Sequence, residues 1–272
     1  MAKMKFELIR ITPTQARRWL EERNTGNRRV SQLCVTKLVR DINNGRWHQT
    51  PHPICFDENN RLIDGQHRLQ AIVESGKPLS VWVCTNVPER SALFMDQGRK
   101  RSLADAGKFL AGDELTKKVE SVTKSMADPM MTCGHTRMEL WEFYEQHRSA
   151  IEYATNLFSG FQKSLQKSQL IAIVARASYS NDSGRLQQFA LAIKEGMVAS
   201  PGDRAAIMIR DHLMQGEFNG TADRREFYRM SEYRLTQYLL RKSRFGKKRM
   251  AEHEMFPIPG EDDYASDIAA TA

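Results

Sequence analysis

Near residue 112 the hydrophobic period of the chain changes, and that change limits the fold more than any other feature. Before it, short alternating β-like runs are interleaved with helical stretches; after it, only helical periodicity remains. A chain of this kind reads as α+β. It divides into a small mixed unit over residues 1–112, an all-helical unit with a basic C-terminal helix over 113–250, and a short acidic, loosely ordered tail over 251–272. The length of 272 residues accommodates one large domain or two small ones.

In the first unit, Lys5 to Ile11 sets Phe6, Leu8 and Ile11 against polar neighbours, as a half-buried strand does. Thr12 and Pro13 follow as an N-cap and a first-position proline, opening a helix over Thr14 to Glu22. Val30 to Asn43 carries Leu33, Leu38, Val39 and Ile42 as a helical stripe and stops at Asn43-Asn44-Gly45. Pro53 to Phe56, Arg61 to Ile63 and Leu79 to Cys84 read as strands, the first two joined by the turn Asp57 to Asn60. A helix from Gln66 to Ser75, burying Leu69, Ile72 and Val73, lies between the last two. After residue 112 helices are expected at 115–126, 136–147, 148–158, 165–179, 185–196, 203–216 and 223–242. Leu170 to Val174, apolar nearly all round, marks the central helix, and Asp203 reads as an N-cap.

Several function classes drop out. The longest apolar run, Leu170 to Ala175, has six residues, against the ~18 that a membrane span requires. The N-terminus turns polar before any secretory core forms, so the expectation is a cytoplasmic protein without a membrane partner. Cys34, Cys55, Cys84 and Cys133 form no C-x-x-C pair and read as reduced, mostly buried thiols. There is no H-E-x-x-H, and Cys133 with His135 supplies too few ligands for a zinc site.

The net charge of +8 is concentrated near the C-terminus. Between Arg224 and Met250 stand ten cations (Arg224, Arg225, Arg229, Arg234, Arg241, Lys242, Arg244, Lys247, Lys248 and Arg249) against Glu226 and Glu232, which is the whole excess of the chain. Arg241, Lys242, Arg244, Lys247, Lys248 and Arg249 are the candidate DNA contacts, of the salt-dependent, sequence-indifferent kind. The alternative is a solvated helix, the usual fate of a charge run.

The most informative stretch is Asp64-Gly65-Gln66-His67-Arg68, where a strand runs directly into a helix. Free N–H groups at a helix start favour anions, and glycine lets a phosphate approach the backbone. Arg68 in the first turn opposes the helix dipole and needs a compensating anion, either Asp64 or a bound phosphate. Asp64 can cap the helix or face a divalent cation. A purely structural reading, with Asp64 as cap and Arg68 as its partner, stands beside the functional one. No P-loop and no G-x-G-x-x-G occurs anywhere in the chain.

This box, with Ala71 behind it, resembles the D-G-x-H-R box of the ParB/sulfiredoxin superfamily, in its DGQHR branch of phage or mobile-element type. The resemblance covers about residues 5–110. It implies a ParB/sulfiredoxin-like nucleotide-binding domain in which Gly65, Gln66, His67 and Arg68 cradle phosphates. Asp64 would then help hold Mg²⁺, and Asp64, His67 and Asp96 form the catalytic set. Asp96 and Arg101, in Asp96-Gln97-Gly98-Arg99-Lys100-Arg101, would close the site from a later, looser box. Asn24, Asn27 and Arg28 lie in an N-x-x-N-R stretch like one that precedes this helix in resembling proteins, which implies contact with substrate or nucleotide; the alternative is a turn with a solvated basic pair. Sulfiredoxin's cysteine is replaced by Gln66, which removes sulfinic acid repair, and His67-Arg68 in place of an arginine pair favours ATP over CTP. The implied protein binds ATP or another NTP with Mg²⁺ and acts on or with DNA as a kinase or ATPase, in the host cytoplasm if phage-encoded. The alternative is a nucleotide-gated DNA-binding or regulatory protein without significant turnover. Nothing in the sequence signals an oligomeric state.

Overall fold

The computed structural model describes residues 3–95, 102–105, 107, 115–132, 134–216, 220–242 and 254–260. The fold is α+β, and the chain falls into two compact units, Met1–Lys100 and Arg101–Ala272.

In the first unit, β1 (Lys5–Ile11), α1 (Pro13–Arg23), α2 (Gln32–Asn43), β2 (Ile54–Asp57), β3 (Leu62–Asp64), α3 (Gln66–Ser75) and β4 (Leu79–Val87) follow in order. The four strands form one sheet in the order β1-β4-β2-β3. β1 runs antiparallel to β4 with Ile11 opposite Leu79, and β3 runs antiparallel to β2 with Asp64 opposite Cys55. β2 and β4 are parallel, with Cys55 opposite Cys84. Parallel neighbours need a crossover connection, and α3 supplies it. Its Leu69 and Ile72, fully buried, join Ala16 and Trp19 of α1 and Ile54, Phe56, Val81 and Val83 of the sheet. Each such aliphatic side chain contributes roughly 1.5–3 kcal/mol by leaving water.

Local signals set the helix ends. The Thr12 hydroxyl accepts the Gln15 N–H at 3.2 Å, with Pro13 in the first turn. β1 departs from expectation: Phe6 and Leu8 lie on the open side of an edge strand, and Ile9 and Ile11 face the core. Leu33, expected in the buried stripe of α2, is 57% exposed; Val35 and Ile42 hold that helix down instead. Of the cysteines, Cys34 is exposed, Cys55 and Cys84 are buried and unbridged, and Cys133 lies outside the described residues.

The second unit contains α4 (Lys117–Ala127), α5 (Arg137–Leu157), α6 (Ser168–Ala177), α7 (Ser183–Glu195), α8 (Arg204–Gln215) and α9 (Thr221–Leu239). Every residue of α6 from Leu170 to Ala177 is buried, and α4, α5 and α9 pack around it. The helices expected at 136–147 and 148–158 follow one another across a kink at His147, whose backbone is non-helical with φ −113°, so the break falls where it was expected. Asp203 occupies the N-cap position of α8 as expected, but its side chain makes no capping hydrogen bond to that helix. Its carboxylate reaches back to accept the N–H groups of Ala199 and Ser200, closing the turn that precedes the helix.

The expected loose tail is corrected for residues 254–260, where Phe256 and Ile258 are buried in the helical core. A buried polar cluster fastens this segment. The Arg176 guanidinium, 1% exposed, donates to the carbonyls of Phe256 (3.0 Å) and Met126 (2.9 Å) and pairs with Glu254 at 3.1 Å. The Tyr228 hydroxyl donates to the Glu254 carboxylate, and the Met255 N–H donates to Glu232 at 2.6 Å. Burial and the neighbouring Glu254 push the Glu232 carboxyl up to about 9, so it holds a proton at neutral pH.

α9 packs into the helical core through Phe227, Tyr228, Leu235 and Tyr238. Arg225 donates to the carbonyls of Met130 and Met131, and Arg234 is 3% exposed. Arg224 and Arg229 remain on the surface, as do Arg241 and Lys242 beyond the helix. Arg244, Lys247, Lys248 and Arg249 lie outside the described residues.

Candidate functional site

β3 ends at Asp64, Gly65 turns the chain, and α3 starts at Gln66. Gly65 has φ +102°, in the left-handed region that favours glycine. A Cβ there would stand 2.8 Å from Ile54 Cγ1. The missing side chain thus lets α3 close on β2, rather than clearing a path for a ligand.

Asp64 and Arg68 compensate each other. The Asp64 carboxylate accepts the Gly65 N–H through Oδ1 (2.7 Å) and the Arg68 guanidinium through Oδ2 (3.1 Å). The same guanidinium donates to the carbonyls of His52 and of Pro53, the latter at 2.7 Å. Arg68 thereby ties the first turn of α3 to the chain entering β2, and the anion it requires is already present. Arg68, expected among the residues that cradle phosphate, makes these contacts to the box and to the chain entering β2. Asp64, expected to help hold Mg²⁺ and to serve in catalysis, accepts one hydrogen bond at each oxygen, which leaves acceptor capacity on both. Among the described residues no group of three His, Cys, Asp or Glu side chains is placed to hold a metal ion.

The structure brings the polar stretch Asn24–Ser31 onto this box, across more than thirty positions of sequence. Asn27 donates to Asn24 Oδ1 (2.7 Å) and to the Leu62 carbonyl (2.6 Å). Gln66, only 5% exposed, donates to the Arg28 carbonyl at 2.9 Å, and Asn24 donates weakly to its side-chain oxygen. The Ser31 N–H donates to His67 Nε2 at 3.0 Å. That nitrogen therefore carries no proton, which fits its depressed pKa: burial lowers it first, the Arg28 charge lowers it further, and Asp64 opposes both. A His67 held this way positions the start of α2.

The result is a knitted cradle. Gln66, Asn24 and Asn27 lace the loop to the start of α3, while Arg28 and Arg29 stay exposed on its rim. The N–H groups of Gln66, His67 and Arg68 have no acceptor within the helix, as at any helix start. Beside the cradle runs a groove of roughly 390 Å³, lined in part by Gly26, Asn27, Arg61, Ile63 and Arg90. The Cys55 thiol behind it is pushed up to about 12, mainly by burial and also by Asp64, so it is no nucleophile. Asp96 and Arg101 lie outside the described residues. Sequence reasoning missed Ser31, His52 and Pro53 as partners of the box, since only backbone atoms of these residues take part. Comparison of the chain with protein-family models, curated proteins and solved structures gave no match.

Proposed function

We propose that the Met1–Lys100 unit is a nucleotide-binding module of ParB/sulfiredoxin-like type that takes ATP, and that occupancy of this module governs how the protein binds DNA. The observation that carries the reading is the interlock of the Asn24–Ser31 loop with the first turn of α3. Phosphates at the α3 N–H groups would meet the exposed cations Arg28 and Arg29, and the pull of Arg28 on His67 places that charge close to the helix start. Anything bound there presses on the loop and, through Ser31, on α2, which is what a gate requires. Mg²⁺ fits as a companion of the phosphates, held by their oxygens and by water, while Asp64 bonds Gly65 and Arg68. It would neutralise phosphate charge. The engagement of Asp64 and His67 favours binding without turnover over a kinase or ATPase.

The test is calorimetric titration of ATP with Mg²⁺ into the wild-type chain and into Arg28→Ala/Arg29→Ala. Each lost charge-assisted contact is worth roughly 1.5–3 kcal/mol, so the variant should bind at least about tenfold more weakly without a change in melting temperature. Absence of binding by ATP, CTP and GTP alike would refute the proposal. Phosphate release at saturating DNA would restore the kinase or ATPase reading.

A further inference from the structure

A groove of roughly 560 Å³ in the helical unit, sharing no residue with the box or with the candidate DNA contacts at 241–249, is walled by positive charge. Lys118 comes from α4, Lys163 and Lys167 from the turn before α6, and Arg224 from the first turn of α9. Ser121, Ser164, Ser168, Gln166 and Gln169 complete the wall, and among the described residues no carboxylate lines it. Four cations converging from three elements repel one another. The Lys118 pKa is lowered, first by burial and then by the charges of Lys167 and Lys163. Yet Lys118 is held in place, its ammonium donating to the Gln166 carbonyl at 2.6 Å. Serine hydroxyls and glutamine amides stand beside these cations in the lining, an arrangement that suits a ligand bringing several negative oxygens.

We propose that this groove is a docking surface for the phosphate backbone of DNA. The lining holds no aromatic side chain on which a base could stack, so contact would be to phosphates and indifferent to sequence. The inference rests on the reading that the protein binds DNA, and it moves the contact surface from the C-terminal cations to the groove.

The experiment measures anisotropy of a labelled duplex of arbitrary sequence across a salt series. It compares the wild-type chain, the groove variant Lys163→Gln/Lys167→Gln/Arg224→Gln, and a control of equal charge, Lys5→Gln/Arg10→Gln/Arg17→Gln, whose residues are exposed in the other unit. Lys118 is left intact because it also braces Gln166. The groove variant should lose about tenfold or more in affinity, and its plot of log K against log salt should flatten by up to roughly 2.7, at ~0.9 per phosphate contact. The control should change far less. Equal losses in both variants would reduce the effect to net charge and overturn the inference. An unchanged groove variant beside a wild type that binds would overturn it while leaving the DNA reading intact. A wild type that binds inorganic tripolyphosphate but no duplex would overturn both.

Discussion

Replacing Glu232 with glutamine should stabilise the protein at neutral pH, although it alters a side chain only 1% exposed. In the folded state the Glu232 carboxyl titrates at about 9; in the unfolded chain it titrates at about 4.3. Folding near pH ~7 therefore requires Glu232 to take up a proton, at up to about 3.5 kcal/mol, since each unit of pKa difference corresponds to ~1.36 kcal/mol. Glu254 shares that proton, which lowers the expected gain to about 1–3 kcal/mol. Glutamine keeps both hydrogen bonds without the proton: its oxygen accepts the Met255 N–H, and its amide donates to Glu254. The sign follows from proton counts. Between about 4.3 and about 9 the folded wild type binds more protons than the unfolded chain, so this contribution is fully present below the unfolded value and is lost as pH rises through the folded one. The assay is urea denaturation of wild type and Glu232→Gln at several pH values, taking their difference so that other titrations cancel. The difference should be near zero at about pH 4, should grow to favour the variant by about pH 7, and should level off near about 9. A variant destabilised by the same amount at every pH would show that Glu232 is ionised in the fold and refute the argument.

The box offers two further tests. Gly65→Ala should destabilise the first unit by about 1–3 kcal/mol or more, from its φ of +102° and the 2.8 Å approach to Ile54, measured by chemical denaturation. Arg68→Lys should cost roughly 1.5–3 kcal/mol even though the charge survives, because an ammonium cannot span Asp64 and the carbonyls of His52 and Pro53 together. A lysine variant with the wild-type melting temperature would mean those contacts carry little stability.

The sequence by itself determined what depends on neighbours within a turn or two. α3 runs from Gln66 to Ser75 as expected, because the glycines at its two ends impose left-handed turns that stop the helix locally. The Thr12–Pro13 start is legible for the same reason, as is the burial of Leu170 to Val174, since a segment apolar on every side has no face to give to water. What only the tertiary structure decided concerns partners far apart in the chain. Arg68 needed a compensating anion, and the fold sets it against Asp64 and, through the approach of residues 52–53 to α3, against two carbonyls. The same holds for His67, whose acceptor nitrogen is taken by Ser31, and for β1, where strand alternation offered two faces and the pairing with β4 buried Ile9 and Ile11. A count of charges from Arg224 to Met250 carries no information on burial, and Arg225 and Arg234 lie inward because α9 packs against α6 and α8. The segment 254–260 looked like a tail because its anchor, Arg176, stands about eighty residues earlier. Capping and periodicity are short-range and leave their mark on consecutive residues, whereas the pairing of a buried charge is fixed only when the chain has folded back on itself.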